Sequence, residues 1–135
     1  MLFLLFLQTP KPFFEKTFKI HPRYHTEFKL KVPKDRYMLL KVENAPVDAF
    51  SVVLFDERGY KYFSRDKDSS WSMHTLEGDS TFVCYTNKSE TIYFAIWNNS
   101  YEENWINPTV KVFLLDKYDG EVPNCFIEYG EEEGN

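Results

Sequence analysis

The chain has 135 residues, with 16 Lys and Arg, 21 Asp and Glu, and a formal net charge of −5. This length predicts one domain, over residues 1–135, and 43% hydrophobic residues with 19% aromatics exclude a wholly disordered chain. No apolar run reaches the ~18 residues that a membrane-spanning helix requires, so we expect none.

The charge is unevenly distributed. Residues 1–34 contain seven Lys and Arg against two acids, whereas the remainder is strongly acidic. The lysines either occupy the solvent face of the first strands or form a basic surface for an anionic membrane. The acidic balance of the whole chain argues against nucleic acid as a general partner. The candidate basic surface consists of Lys16, Lys19, Lys29 and Lys31.

The first residues form a short apolar run that ends before Pro10. The run lacks the basic n-region and the small-residue cleavage site of a signal peptide, so we expect a cytoplasmic location. The sequence predicts that residues 1–12 form an arm or strand packed on the core, and that residues 130–135 form a frayed acidic tail. An alternative is a contact with another subunit or a membrane. The candidate oligomer contacts are Leu2, Phe3, Leu4, Leu5 and Phe6.

The dominant hydrophobic period is two residues, which indicates strands. β-Branched and aromatic residues occupy most apolar positions, and no window of 11 or more residues has helical periodicity. The predicted strands lie within 14–20, 27–32, 38–43, 51–55, 60–63, 81–85, 91–97, 110–114 and 124–129.

Two turn signals predict hairpins. Asp56–Gly59 has the pattern of a type I turn followed by a left-handed Gly, and would join 51–55 to 60–63. Asn87–Glu90 would join 81–85 to 91–97. About eight or nine short strands predict an all-β, antiparallel, jelly-roll-like β-sandwich, with a closed barrel as the alternative.

The sequence contains little that indicates catalysis or a cofactor. His21 and His25 are too far apart along a strand to share a metal ion unless Pro22 bends the chain. His74 lacks the sequence partners of a triad, and no glycine-rich phosphate loop occurs. We therefore expect a non-enzyme with no cofactor. Calcium binding by a loop with Asp66, Asp68 and nearby Asp79 stays open.

The cysteines and tryptophans each allow two interpretations. Cys84 and Cys125 are expected as two free thiols, although a disulfide stays open. Trp97, Tyr101 and Trp105 are either packed at the edge of the sandwich or form the stacking surface of a carbohydrate-binding module.

Residues 25–116 resemble the Golgi-dynamics (GOLD) domain. The resemblance rests on IYFAIWNNSYEENWINPTVKVFLLD from Ile92, on VDAFSVVLFDERGYKYF from Val47 and on TEFKLKVPKDRYMLLKVENA from Thr26. The prepeptidase C-terminal domain has a similar layout. Each resemblance implies a β-sandwich that binds other molecules. The coiled coil, membrane anchor and cysteine positions of GOLD cargo receptors do not match this chain.

The function expected from the sequence is that of a non-enzymatic protein-interaction module, acting in an assembly or in membrane-traffic-like recruitment. A carbohydrate-binding module and a self-associating structural protein, for instance of a virion, are the alternatives. The expected partner is another protein or a second copy of the chain.

Overall fold

The computed structural model describes residues 11–46, 48–78, 80–100 and 104–127. These residues form two antiparallel four-stranded sheets and one helix, which confirms the predicted all-β sandwich and rules out the closed barrel. The elements are β1 Phe14–Thr17, β2 His25–Lys31, β3 Tyr37–Glu43, β4 Phe50–Phe55, α1 Glu57–Asp66, β5 His74–Glu77, β6 Thr81–Tyr85, β7 Thr91–Asn98 and β8 Thr109–Leu115.

Consecutive strands lie in opposite sheets, except β4 and β5, which pair with each other. Sheet 1 has the order β1-β8-β3-β6 and sheet 2 has the order β2-β7-β4-β5. Each of the strand pairs β1/β8, β2/β7, β3/β6 and β4/β5 is hydrogen-bonded. This is the order produced when one long hairpin is wrapped around a core.

The main core lies between the sheets. Met38 and Leu40 of sheet 1 and Phe94 and Ile96 of sheet 2 are almost completely buried there. Because strand side chains alternate, their chain neighbours lie on the two outer faces. Stacked rings close the side where β1 and β2 meet, with Phe28 4.6 Å from Phe14 and 4.4 Å from Phe94 between centroids.

The first predicted hairpin is wrong, because its second strand is helix α1. Asp56 is the N-cap, and its side chain accepts a hydrogen bond from the Gly59 amide at 2.8 Å. A type I turn and a first helical turn share similar backbone angles, so Asp-x-x-Gly fits both. Phe63, one turn after Gly59 and Tyr60, anchors the helix on the sheet.

The second predicted hairpin is also wrong. β6 pairs with β3 in sheet 1, whereas β7 lies between β2 and β4 in sheet 2. The turn at residues 87–90 therefore crosses between sheets. Strand β5 was not predicted, and the predicted last strand is only an isolated bridge between Tyr85 and Asn124 in its described part.

Candidate binding surfaces

The outer face of sheet 2 is covered by helix α1. Val53, Phe55 and Ala95 point outward from β4 and β7, yet all three are buried, because Phe63 of α1 packs over them. The rings of Phe55 and Phe63 are stacked with centroids 4.8 Å apart. A second, smaller hydrophobic core therefore exists outside the sandwich.

The outer face of sheet 1 carries a comparable set of apolar side chains, which we call the sheet 1 patch: Leu39, Val83, Phe113 and Leu115. Leu39 lies opposite both Val83 and Phe113 in the strand register, so these side chains are neighbours. All four are half-buried. Helix α1 packs on β4 and β7 of the other sheet, and no described helix covers this patch.

The rim of the patch is aromatic at one end and charged at the other. Tyr37 and Tyr85 form a cross-strand ring pair at 5.3 Å, and Tyr118, 41% exposed, lies beyond them. At the other end Lys111 forms an ion pair with Glu43 at 3.2 Å. A groove of about 390 Å³ runs between Pro12, Glu15, Leu39, Lys41, Lys111, Phe113 and Leu115.

A second surface lies at one end of the sandwich, where the β3–β4 and β7–β8 connections meet. It contains a groove of about 790 Å³, which we call the loop-end groove. Among the ten described residues that line it, four carry amide side chains and one, Asp48, carries a carboxylate. The lining residues are Asn44, Pro46, Asp48, Ala49, Asn99, Ser100, Asn104, Trp105, Ile106 and Asn107.

Asn98 fixes the backbone of this groove. Its side chain is fully buried, and its amide donates to the carbonyl oxygens of Ile20 and Asn104 at 3.0 and 2.9 Å. Its Oδ1 accepts a hydrogen bond from the Ser100 amide at 3.0 Å. Next to it, the Asn99 amide donates to Ser51 Oγ at 3.2 Å. These buried side-chain bonds fix the backbone positions of Ile20, Ser100 and Asn104.

Among the described residues that line the loop-end groove, Trp105 is the large aromatic one, and it is 48% exposed. His21 packs edge-on against its ring at 4.6 Å, and the Lys19 ammonium lies 5.0 Å from its centroid. The ring of Tyr24, which is 65% exposed, lies 4.8 Å from the ring of His21. Trp105 is therefore oriented by neighbours while half of its surface faces solvent.

A charged network stabilises the edge of the helix-covered face. Tyr60 donates to Glu27 Oε1 at 2.5 Å, and His25 Nε2 lies 2.8 Å from Glu27 Oε2. Burial alone would raise the pKa of Glu27, but the bonds from Tyr60 and His25 outweigh it and lower that pKa. The bond to Glu27 raises the pKa of Tyr60 to about 12. The stacked Tyr60–Tyr93 pair, at 4.3 Å, completes this contact.

Cys84 and Cys125 form a disulfide, so the expectation of two free thiols is wrong. Both residues are fully buried. The C-terminal segment that carries Cys125 also pairs with Asn87, whose side chain makes two 3.0 Å bonds with the backbone of Phe126. His74 Nε2 donates to the Asn124 carbonyl at 2.9 Å. Together these contacts tie the segment across the β5 and β6 edges.

The structure separates Trp97 from Trp105, which the sequence grouped. Trp97 lies on the outer face of sheet 2, where its ring stacks on His25 at 4.3 Å and meets Phe63 edge-on. It therefore belongs to the core under α1, whereas Trp105 belongs to the loop-end groove. Tyr101 lies outside the described residues.

The four predicted lysines do not share one face. Lys29 and Lys31 project from the outer face of sheet 2, whereas Lys16 lies on β1 of sheet 1 and Lys19 on the connection that follows. Binding of an anionic membrane stays a prediction. Leu2, Phe3, Leu4, Leu5 and Phe6 and the tail 130–135 lie outside the described residues.

The structure does not bring the candidate metal ligands together. His21 packs against Trp105, whereas His25 packs against Trp97. Asp68 accepts two bonds from Ser70, and Asp79 lies outside the described residues. Within the described ranges, no group of three or more His, Cys, Asp or Glu could hold a metal ion, and no helix is long and apolar enough to cross a membrane.

The sequence analysis missed the sheet 1 patch, although a signal was present. Residues 37–40 and 112–115 are apolar at both odd and even positions. A strand with apolar side chains on both faces is typical of contacts on both faces.

No family model and no curated protein matches the chain. The solved structures that share its fold include two proteins of bacterial origin. A periplasmic inhibitor of g-type lysozyme from Aeromonas hydrophila, PliG, is 8% identical over 74% of this chain and 83% of that one, with a TM-score of 0.56. The Yersinia pseudotuberculosis-derived mitogen is 14% identical over 82% of this chain and 92% of that one, with a TM-score of 0.54. At these identities the likeness concerns the fold alone.

Proposed function

We propose that this protein is a non-enzymatic binding module that recognises another protein through the sheet 1 patch. The observation that carries this proposal is the contrast between two apolar outer faces, of which only that of sheet 2 has a described helix packed over it. Burying apolar area contributes roughly 25 cal/mol per Å². Half-buried Leu39, Val83, Phe113 and Leu115 thus retain part of that free energy for association.

The patch has the anatomy of a protein interface. Its centre is aliphatic and aromatic, tyrosines lie at one end, and charges of both signs lie at the other. Because Lys111 and Glu43 already form an ion pair, the rim favours a partner with an apolar centre over a purely charged ligand. We therefore commit to a folded protein that offers a complementary apolar surface.

The comparisons and the disulfide bear on this proposal. One protein with a similar fold is an inhibitor of another protein, a lysozyme, and the second is a mitogen. The disulfide supports function in an oxidising compartment, since such bonds are rare in a reducing cytosol. The predicted cytoplasmic location is not supported. Recruitment like that of GOLD domains and self-association stay predictions.

The experiment places the photo-crosslinking residue p-benzoylphenylalanine at position 113 in the producing cells, with position 62 on α1 as the matched control. We expect a discrete adduct with a different protein from position 113 only. Leu39→Glu should abolish the adduct without changing the melting temperature by more than a few degrees. Equal labelling from both positions, no adduct, or an adduct only with a second copy of this chain would overturn the proposal.

A further inference from the structure

We infer that residues 2–7 form an autoinhibitory latch, which lies over the sheet 1 patch of the same molecule until a protein partner displaces it. The latch rests on the proposed function, because it regulates the binding site named there. Residues 2–7 lie outside the described residues. Three features point to them as the occupant of the patch: the path of the chain at residues 11–14, the reach of residues 1–10 and the composition of the run.

The first described residues lie beside the patch. β1 is antiparallel to β8, with Phe14 opposite Val112, so the chain before β1 runs toward the Leu115 end of β8. The Phe13 amide donates to the Val112 carbonyl at 2.6 Å, which continues this path. Pro12 lines the groove of about 390 Å³ on the outer face of sheet 1. Residues 1–10 therefore join the described fold at the border of the patch.

The run is long enough to cover the patch. Neighbouring strands lie about 4.8 Å apart, so the patch, which spans β8, β3 and β6, is roughly 10 Å wide between its outer strands. Ten extended residues span up to about 33 Å. Residues 8–10 therefore suffice for the approach from β1, and residues 2–7 can lie across all three strands.

The composition of the run complements the patch. Every residue from 2 to 7 is Leu or Phe, so the run carries no charge. The side chains of the patch are aliphatic or aromatic, and they are half-buried. Contact between the two removes apolar area from water on both sides, which is the main source of free energy in such a contact.

Residues 128–135 fit the patch less well. Four of these eight residues are Glu, and the segment contains no apolar run. The preceding residue, Ile127, lines a groove with Glu57 and Arg58 at the start of α1. The acidic segment thus joins the described fold beside α1, whereas residues 1–10 join it beside the patch.

A latch of this kind covers the patch without binding it tightly. A segment joined by a short spacer has an effective concentration in the millimolar range, so weak docking is enough to occupy the site. The apparent Kd of a partner then equals its intrinsic Kd divided by the uncovered fraction. Because the docking is weak, it adds little to the free energy of unfolding, in contrast to the buried ring of Phe63 on sheet 2.

The first test uses purified protein with p-benzoylphenylalanine at position 113, irradiated at low concentration, and maps the crosslinks by mass spectrometry of peptides. We expect a link within one molecule to a peptide that contains residues 1–10. Position 62 on α1 is the matched control and should give no such link. Leu4→Glu combined with Leu5→Glu should weaken the link at least about tenfold, because an unpaired charge is costly on an apolar surface.

Two adjacent residues are changed because successive side chains of an extended segment point to opposite sides. Gln8→Glu combined with Thr9→Glu adds the same charge outside the run and should keep the link. Both double variants should keep the melting temperature of the unmodified protein within a few degrees, which excludes unfolding as the cause of a lost link. A large loss of stability in the Leu4 and Leu5 variant would place these residues in the core and overturn the latch.

The second test repeats the crosslinking at position 113 in the producing cells. The variant with Glu at positions 4 and 5 should give at least about twice as much partner adduct as the unmodified run, because more of the patch is uncovered. The latch is overturned if position 113 gives no link to residues 1–10, if the link joins two copies of the chain, or if the link survives the two substitutions.

The latch and the proposed function fail in different ways. A link that depends on Leu4 and Leu5, in a protein that forms no partner adduct in cells with either form of the run, supports the docking and refutes only the proposed function. A partner adduct whose yield is the same with both forms of the run refutes only the latch.

Discussion

The outer faces of both sheets carry apolar side chains, but the two faces differ in what covers those side chains. Sheet 2 places Val53, Phe55 and Ala95 outward, and the polypeptide between β4 and β5 folds back as helix α1 and buries them. Sheet 1 places Leu39 and Phe113 outward without a described helix above them. Apolar side chains on an outer face are thus buried by the fold in one place and left half-exposed in another, according to what covers them.

The largest expected effect comes from removing the ring that covers sheet 2. Phe63→Ala should lower the free energy of unfolding by about 3–5 kcal/mol, because Phe63 is fully buried. Phe113→Ala, the matched change on sheet 1, should lower it by about 1 kcal/mol or less, since that ring is half-buried. Urea denaturation of both variants measures the difference. An equal loss would mean that the patch is covered within the folded monomer.

The next largest effect on stability should come from removing the disulfide that joins Cys84 of sheet 1 to Cys125. Replacing both Cys84 and Cys125 by Ala should lower the free energy of unfolding by about 2–4 kcal/mol, because the disulfide closes a loop with a sequence separation of 41. Thermal unfolding with and without reductant measures this loss. The double variant is its own control, since reductant should not change its melting temperature. If reductant leaves the melting temperature of the unmodified protein unchanged, the prediction is contradicted.

The next prediction tests the close approach of α1 to the backbone at Trp71. A methyl group at Gly59 would clash with the backbone carbonyl oxygen of Trp71. Gly59→Ala should therefore destabilise by about 1–3 kcal/mol, although Ala favours helices by about 1 kcal/mol. Ser64→Ala, on the exposed side of α1, should change stability by at most about 0.5 kcal/mol. A stabilised Gly59→Ala would show that the helix does not rest on that carbonyl.

The smallest effect concerns the network at the edge of the covered face. Tyr60→Phe should cost about 1 kcal/mol at pH 7. The pKa of Glu27 is lowered in the folded protein, so its contribution is present above the ordinary value of 4.5 and is lost as pH falls through the folded pKa. The difference between native protein and variant should therefore shrink in acid.

Urea titrations at several pH values between 3 and 7, ~one unit apart, measure this dependence. Glu27→Gln should likewise make the free energy of unfolding less dependent on pH over this range. Tyr93→Phe, which keeps the ring stacked on Tyr60, should have the same pH dependence as the unmodified protein. A difference between native protein and Tyr60→Phe that is constant with pH would assign the effect of Tyr60 to packing alone.

The sequence predicted the strands well and their partners poorly. Alternation along 27–32, 38–43 and 110–114 reports which side chains face the core, because that depends on the residues themselves. It contains no information on whether 81–85 pairs with 91–97 or with β3. Asp56 and Gly59 fit a hairpin turn and a helix start equally, and only packing of Phe63 on Phe55 favours the helix.

The candidate binding surfaces could also be predicted only in part from the sequence. The sequence identified Trp105 as an aromatic with a binding role to test, but it grouped it with Trp97, because the two are close along the chain. The asparagines of the loop-end groove come from separate connections, so their proximity could not be read from spacing.

By itself, the sequence determined that this chain is built from antiparallel strands, since short alternating segments with frequent turns bury Phe, Ile and Val side chains on one face of a sheet. The tertiary structure alone decided that the strands form a sandwich and not a closed barrel, which strands are neighbours, and that Cys84 meets Cys125. It also decided that helix α1 lies over sheet 2, whereas no described helix lies over the sheet 1 patch. The reason is that burial preference is a property of each residue, whereas pairing, covering and the walls of a groove are relations between residues far apart in the chain.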